Sequence, residues 1–487
     1  MKIVFAASEA APFVKTGGLG DVAQALPKAL SEYRGNRVLV FLPYYLSIKS
    51  NRTFDVEKVG ELNVRLSWRN SYVGLMRLKS RKRKLEIYFI DNEQYFNREK
   101  IYGYSDDGER FAFFCKAILE SLVYLGERPD VIHCNDWQTA LLPVLLHSFY
   151  GEELGQAKTM FTIHNIEYQG WANPTFLSDV LGLGKGYENI FSYNGSVNFM
   201  KGAILSSNCV TTVSESYANE ICHPYFAYGL SPVINEHTFK LYGIVNGIDT
   251  AVYDPSSDQN LTENYSADTF GEKKPVCKAH LQKACGLPAE PNVALIGIVS
   301  RLVEHKGLEL ICEALDEIMS LNVQLVILGT GDERYENMLK AKASRYPEKM
   351  SLNLCFSQSM APQIYAGCDM YLMPSKSEPC GLSQLLAMRY GAVPIVHETG
   401  GLKDTVIPFN YGSSEGLGFT FQSFTKEDML DALNRALDVY QNKKEAWKAA
   451  VYNCMSADFS WNKPAKKYME LYEKLLKNDQ FKTNGDH

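Results

Sequence analysis

Five stretches of this sequence place glycines, cations, amides or carboxylates directly after an apolar run, which suits them to handle a small anion and a hydroxylated molecule. In Lys15-Thr-Gly-Gly-Leu-Gly-Asp21, the adjacent Gly17 and Gly18 let a backbone approach a ligand closely, and the helical pattern Val22 to Leu30 offers free N–H groups at its start. That is a candidate phosphate cradle. It has neither the lysine-serine/threonine ending of a P-loop nor the GxGxxG spacing of a dinucleotide site, and a purely structural tight turn is the competing reading. Arg301 and Lys306, in SRLVEHKG, supply two cations of the kind that suit a departing diphosphate, although two surface cations at a turn would look the same.

The segment from Pro374 to Gly401 carries Glu378 in a Ser/Pro/Glu loop. Cys380 follows, and Gly381 and Leu382 are expected to open a helix whose N-terminus faces the ligand. Glu378 either accepts hydrogen bonds from sugar hydroxyls or simply caps that helix. Thr399, Gly400 and Gly401 form a second glycine turn. Asp136 in NDWQT, and His164 and Asn165 in HNIEYQG, add polar groups behind two further apolar runs. A lone histidine after a strand is more often structural than functional.

Short β-branched runs alternating with amphipathic helical stretches must position these residues, and that pattern specifies parallel sheets covered by helices. Strands are expected at Ile3–Ala6, Arg37–Leu42, Leu85–Ile90, Val131–Cys134, Lys158–Ile163 and Cys209–Val213. In the second half they are expected at Val293–Val299, Gln324–Leu328, Leu352–Phe356, Met370–Met373 and Val393–Val396. Arg110 to Leu125 reads as a helix with Phe111, Phe114, Ile118, Leu122 and Leu125 on one face. Ligands bind outside the carboxyl ends of strands in such sheets, so the polar turns fall where a site is expected. The α/β class therefore takes the form of two doubly wound domains, residues 1–246 and 276–475, joined by a turn-rich connection at 247–275. A polar tail occupies 476–487, and the last helix is free to pack back on the first domain.

The chain has 487 residues, and its 22% charged and 46% hydrophobic content excludes disordered and fibrous classes. A net charge of −6 argues against nucleic acid as a partner. The cluster Lys79, Arg81, Lys82, Arg83 and Lys84 sits between two strand-like runs, Ser71–Leu78 and Leu85–Ile90, and reads as a solvated hairpin turn. Eleven scattered cysteines without a CxxC pair indicate reduced thiols and a cytoplasmic location. No run reaches the roughly 18–20 apolar residues of a membrane span. No metal or cofactor is called for, since no DxD motif occurs.

Taken in order, KTGGLGD, HCNDWQT, TIHNIEYQG, VNGID, SRLVEHKG, PSKSEPCGLSQ and TGGLKDTV resemble the bacterial glycogen (starch) synthases over nearly the whole chain. The resemblance implies a GT-B architecture of two Rossmann-like domains facing across a deep cleft. It implies transfer of glucose from ADP-glucose, or UDP-glucose, to the non-reducing end of an α-1,4-glucan with retention of configuration. It implies that Lys15, Gly17, Gly18 and Asp21 meet the nucleotide, and that Asp136, His164, Asn165 and Asn246 hold glucose or approach the acceptor. Arg301 and Lys306 would neutralise the diphosphate and Glu378 would orient the donor sugar, beside Cys380, Gly381, Leu382, Thr399, Gly400 and Gly401. The pattern departs at Lys376 and Ser377, where an arginine and an aromatic residue are usual, and at His397 and Glu398, where arginines are common. Leu386 stands where the wider superfamily carries a second glutamate. Other readings are a retaining glucosyltransferase with another donor or acceptor, or a silent glucan-binding homologue.

Overall fold

Apolar runs become strands in chain order: β1 (Lys2–Ala6), β2 (Arg37–Pro43), β3 (Val56–Leu66), β4 (Arg69–Leu78), β5 (Leu85–Asp91), β6 (Val131–Asn135) and β7 (Lys158–Ile163). Three short strands follow, β8 (Trp171–Ala172), β9 (Ser192–Tyr193) and β10 (Ser196–Asn198), then β11 (Cys209–Thr212) and β12 (Leu241–Gly243). The second half contributes β13 (Ala294–Val299), β14 (Val323–Leu328), β15 (Met350–Asn353), β16 (Met370–Met373), β17 (Val393–His397) and β18 (Phe419–Phe421). The computed structural model describes residues 1–80 and 84–477. Arg81, Lys82 and Arg83 of the basic cluster, and the polar tail beyond Lys477, lie outside the described residues.

Two units emerge. One comprises Met1–Asn246 together with the chain from Trp461 onward, and the other is Gly247–Ser460. The first is built on a nine-stranded sheet of order β12-β11-β7-β6-β1-β2-β5-β4-β3, parallel except where β4 runs against β3 and β5. Its parallel strands are covered on both faces and so read as continuous apolar runs: Ile3 to Ala6 and Val38 to Leu42 are buried throughout. The returning helix Asn462–Lys477 buries Ala465, Tyr468, Tyr472 and Leu475, and the Tyr472 hydroxyl lies 2.7 Å from His133 Nδ1 on β6. Strand β5 pairs with β4 as expected for a hairpin, Gly74 opposite Asp91 and Arg77 opposite Tyr88.

The second unit has a six-stranded, wholly parallel sheet of order β15-β14-β13-β16-β17-β18. Both sheets reverse their winding direction once, between β1 and β6 in the first and between β13 and β16 in the second, and ligands of doubly wound sheets bind at such points. The stretch Gly247–Pro275 is not a free connection. Tyr265 is buried and donates to Tyr390 O at 2.7 Å, Tyr390 donates to Asp258 at 2.6 Å, and Pro275 sits inside the helix Phe270–Ala284. Strand β15 starts two residues before the expected Leu352 and ends at Asn353, so Leu354 to Phe356 lie beyond it.

Candidate active site

In the first unit the loop after β1 is organised by a residue that spacing alone does not flag. Glu9 is buried, and one carboxylate oxygen accepts from the Thr16 amide at 2.7 Å and the Thr16 hydroxyl at 2.6 Å. Burial raises its pKa, while hydrogen bonds from Thr16, Gly20 and Gly17 oppose that shift. An internal carboxylate thus already engages amides of the candidate phosphate cradle. The helix begins at Gly18, earlier than the periodicity suggests, and Lys15 Nζ is paired with Asp21 at 2.7 Å.

Across the switch point, Asp136 follows β6 with φ 56°, a left-handed conformation that costs a non-glycine residue energy and clusters at functional sites. Its Oδ1 accepts from the His164 amide at 2.7 Å and the Asn165 amide at 3.4 Å, which ties the turn after β6 to the turn after β7. Burial pushes the Asp136 carboxyl up to about 7; the amide bonds oppose the shift and the Glu9 charge adds to it. The His164 ring is pushed down to about 3 by burial and is therefore neutral. Its tautomer follows from its neighbour. Asn135 donates its Nδ2 to Ala6 O at 3.0 Å, so its Oδ1 faces His164 Nε2 at 2.9 Å and Nε2 must carry the proton. Nδ1 is left as an acceptor. Asn246 is buried, and its Oδ1 has no hydrogen-bond partner among the described residues, which suits it to take a ligand hydroxyl.

In the second unit the loops after β13, β16 and β17 meet at the carboxyl edge of the sheet. Lys306 Nζ lies 2.6 Å from Glu378 Oε2, with the two side chains only 17% and 8% exposed. Ser375 donates to the same oxygen at 3.1 Å. Glycines allow the loops to interlock. A Cβ on Gly307 (φ 77°) would collide with the Pro374 carbonyl, and one on Gly400 (φ 43°) with the Glu378 carbonyl. The Gly401 amide donates to that same carbonyl at 3.0 Å, and Lys376 N donates to His305 O at 2.9 Å. Gln384 Nε2 reaches the carbonyls of Cys380 and Gly381, at 3.1 and 3.0 Å, and so pins the turn that precedes the helix Ser383–Arg389. Arg301 is exposed on the same loop as Lys306. The His305 ring is pushed down to about 4, chiefly by burial and further by Lys306 and Arg301, with Glu378 and Asp332 opposing the shift.

The starch synthase catalytic domain family matches residues 2–236, and the glycosyl transferases group 1 family matches residues 284–453. A glycogen synthase of Clostridium novyi is 47% identical over 481 residues, 98% of this chain and 99% of that protein. The glycogen synthase of Desulforamulus reducens is likewise 47% identical, with 98% and 99% covered. The chain belongs to the glycogen synthase family. The catalytic domain of starch synthase IV from Arabidopsis thaliana, solved with ADP and acarbose, superposes with a TM-score of 0.91 at 35% identity, covering 98% of this chain and 99% of that one. A sucrose-phosphate synthase from Thermosynechococcus elongatus, at 17% identity and a TM-score of 0.60, shares the GT-B fold. The molecule is a glycosyltransferase.

For a glycogen synthase site, the structure groups Lys15, Gly17, Gly18, Asp21, Asp136, His164 and Asn165 at the β1/β6 edge of the first unit. It groups Arg301, Lys306, Glu378, Cys380, Gly381, Leu382, Thr399, Gly400 and Gly401 at the β13/β16 edge of the second. Glu9, Asn135 and Ser375 are the supporting residues that sequence reasoning passed over. Glu9 carried a signal: a carboxylate interrupting an otherwise apolar run, seven residues before Thr16.

Proposed function

We propose that the donor is ADP-glucose and that glucose passes to the non-reducing end of an α-1,4-glucan with its α configuration retained, in the cytoplasm. The observation that carries this reading is the Lys306–Glu378 pair at the β13/β16 switch point, with Arg301 on the same loop. In it, Arg301 and Lys306 stabilise the diphosphate as charge develops on it, and the helix and turn at Cys380–Leu382 and Thr399–Gly401 shape its binding place. Glu378 accepts hydrogen bonds from the donor sugar. Asp136, neutral His164, Asn165 and Asn246 read hydroxyls, and Lys15 exchanges its Asp21 partner for a diphosphate oxygen. The ADP in the Arabidopsis starch synthase IV structure supports the choice of nucleotide.

Glucose incorporation into glycogen from ADP-glucose and from UDP-glucose, each with and without EDTA, tests the proposal. ADP-glucose should be the better donor by kcat/KM and chelation should leave the rate nearly unchanged. Preference for UDP-glucose would overturn the donor assignment, and loss of rate on chelation, restored by magnesium, would overturn the role given to Arg301 and Lys306.

A further inference from the structure

The turn after β7 runs on from His164 and Asn165 to Tyr168, Gln169, Gly170 and Trp171, the last of which opens β8. Tyr168 N donates to Asn165 O at 3.3 Å and Glu167 N to Asn165 Oδ1 at 3.0 Å, so the two ends of this turn are tied together. Burial divides sharply within it. Gln169 is 2% exposed, whereas Tyr168 and Trp171 on either side are 49% and 47% exposed. Gly170 (φ 70°) takes the chain across Trp137 and Phe199, whose rings an added Cβ would strike.

Two further segments bring aromatic residues to the same place. Gln169 Nε2 donates to Tyr228 O at 3.0 Å, and Asn198 Nδ2 donates to Gln169 Oε1 at 2.7 Å. Tyr228 is half-exposed and is held at φ 46°, a left-handed conformation that costs a bulky residue energy and clusters at functional sites. Tyr193 on β9 donates its hydroxyl to Gly229 O, and its ring centroid lies 6.5 Å from that of Trp171. Four aromatic residues from three segments thus share one surface, fixed through backbone bonds rather than by burial of their rings. Single exposed aromatics are ordinary; a contiguous set marks a binding surface.

We propose that Tyr168, Trp171, Tyr193 and Tyr228 form a track for the α-1,4-glucan acceptor, holding glucose units that lie further along the polymer than those at the His164–Asn165 turn. The inference rests on the reading that the acceptor is such a glucan. Two grounds favour this occupant. The track is continuous with the turn that reads acceptor hydroxyls in that reading, and a polymer held there by its end must continue over neighbouring surface. Its chemistry also fits a neutral chain of hexoses: each sugar has an apolar face of C–H groups to lie on an aromatic ring, and hydroxyls to bond the polar tips of tyrosine and tryptophan. The ammonium of Lys201, near the Tyr193 ring, is engaged by the carbonyls of Asn189 and Ser192 at 2.8 Å each, so the surface offers an anion little.

Two measurements test the track. First, glucose incorporation is followed with glycogen and with maltotriose, which has few units beyond its reacting end, for the wild type, Trp171→Ala, Trp171→Phe and Tyr168→Ala, with melting temperatures beside the kinetics. In Trp171→Ala the ratio of kcat/KM for glycogen to that for maltotriose should fall roughly three- to tenfold, the worth of one aromatic stacking contact, through acceptor KM rather than kcat. Tyr168→Ala should behave likewise, and Trp171→Phe should keep most of the wild-type ratio. An unchanged ratio in both alanine variants would overturn the proposal, as would an equal loss on the two acceptors. Second, maltoheptaose should quench a component of tryptophan fluorescence that Trp171→Phe lacks; identical quenching in the two proteins would overturn it. Self-association of the wild type that Trp171→Ala abolishes, with the acceptor ratio intact, would assign the surface to a second copy of this chain instead. The reading of the acceptor fails separately: a wild type that transfers glucose to neither acceptor rejects that reading, while the maltoheptaose titration still decides whether the aromatic surface binds a glucan.

Discussion

Lys306 and Glu378 satisfy each other's charge in the folded protein, and the proposed chemistry asks the same ammonium to turn toward a diphosphate as it departs. Charge on that group grows as the glycosidic bond breaks, so the ammonium interacts more strongly with the transition state than with bound donor. Lys306→Ala and Lys306→Gln should lower kcat about 10²–10³-fold, with a much smaller change in donor KM. Both also leave Glu378 without its cation, so melting temperatures belong beside the kinetics. Near-normal turnover in folded variants would remove Lys306 from the reaction. Asp136 makes a different case. Its carboxyl titrates at about 7 in the folded protein against an ordinary value of 3.8, so the native state holds the proton more tightly than the unfolded chain does. Stability from this group is therefore full below pH 3.8 and is lost as pH rises through 7. Asp136→Asn removes that loss: it should melt higher than the wild type at pH 8 and show little advantage near pH 4, while turning over more slowly. Equal melting temperatures at pH 8 would show that the carboxylate is accommodated without cost.

Elements differ in how plainly the chain announced them. The parallel strands β1, β2, β6, β7, β13, β14, β16 and β17 are buried on both faces, and their short, mostly apolar runs were legible at once. Strand β3 was not, because Glu57, Lys58, Glu61, Asn63 and Arg65 face solvent from an antiparallel edge and break the apolar run. The three-residue β18 is too short to show a period. Within the site, glycines and charges marked which loops matter, but not how they interlock. That Gly400 must lie against the Glu378 carbonyl depends on β16 pairing with β17, which spacing does not contain, whereas the bonds from Thr16 to Glu9 are local and only the choice of partner was hidden. Gly400→Ala tests the interlock. Its Cβ would strike that carbonyl in a left-handed conformation, so it should both destabilise the unit and cut kcat by tenfold or more. Gly286→Ala is the control: φ is 71° and no atom lies within 4 Å of the added Cβ, so it should cost about 1 kcal/mol of stability with kcat unchanged. Equal effects on kcat from the two variants would mean that Gly400 supplies only backbone freedom.

The chain as a whole leaves its first unit after Asn246 and re-enters it at Trp461, and at this turnaround Ile248 N donates to Phe459 O at 2.8 Å. The first unit is therefore completed by a segment that follows the second unit along the chain. Besides the bond from Tyr472 to His133, the final helix receives a hydrogen bond from Asn36 Nδ2 at Met469 sulfur, 3.2 Å, and pairs Lys467 with Glu215 at 2.7 Å. Tyr468 and Tyr472 are fully buried, and each large side chain so buried contributes roughly 1.5–3 kcal/mol. Ending the chain at Ser460 removes all of this from the first unit, and it leaves His133 with a polar nitrogen facing exposed apolar surface. It removes nothing from the core of Gly247–Ser460, whose buried cluster runs from Ile248 to Met455. Calorimetry of the full and truncated chains should thus show a loss confined to one unit: a transition that weakens or disappears, and a second that keeps its temperature. If both transitions fell together, the last helix would be stabilising more than the unit it packs into.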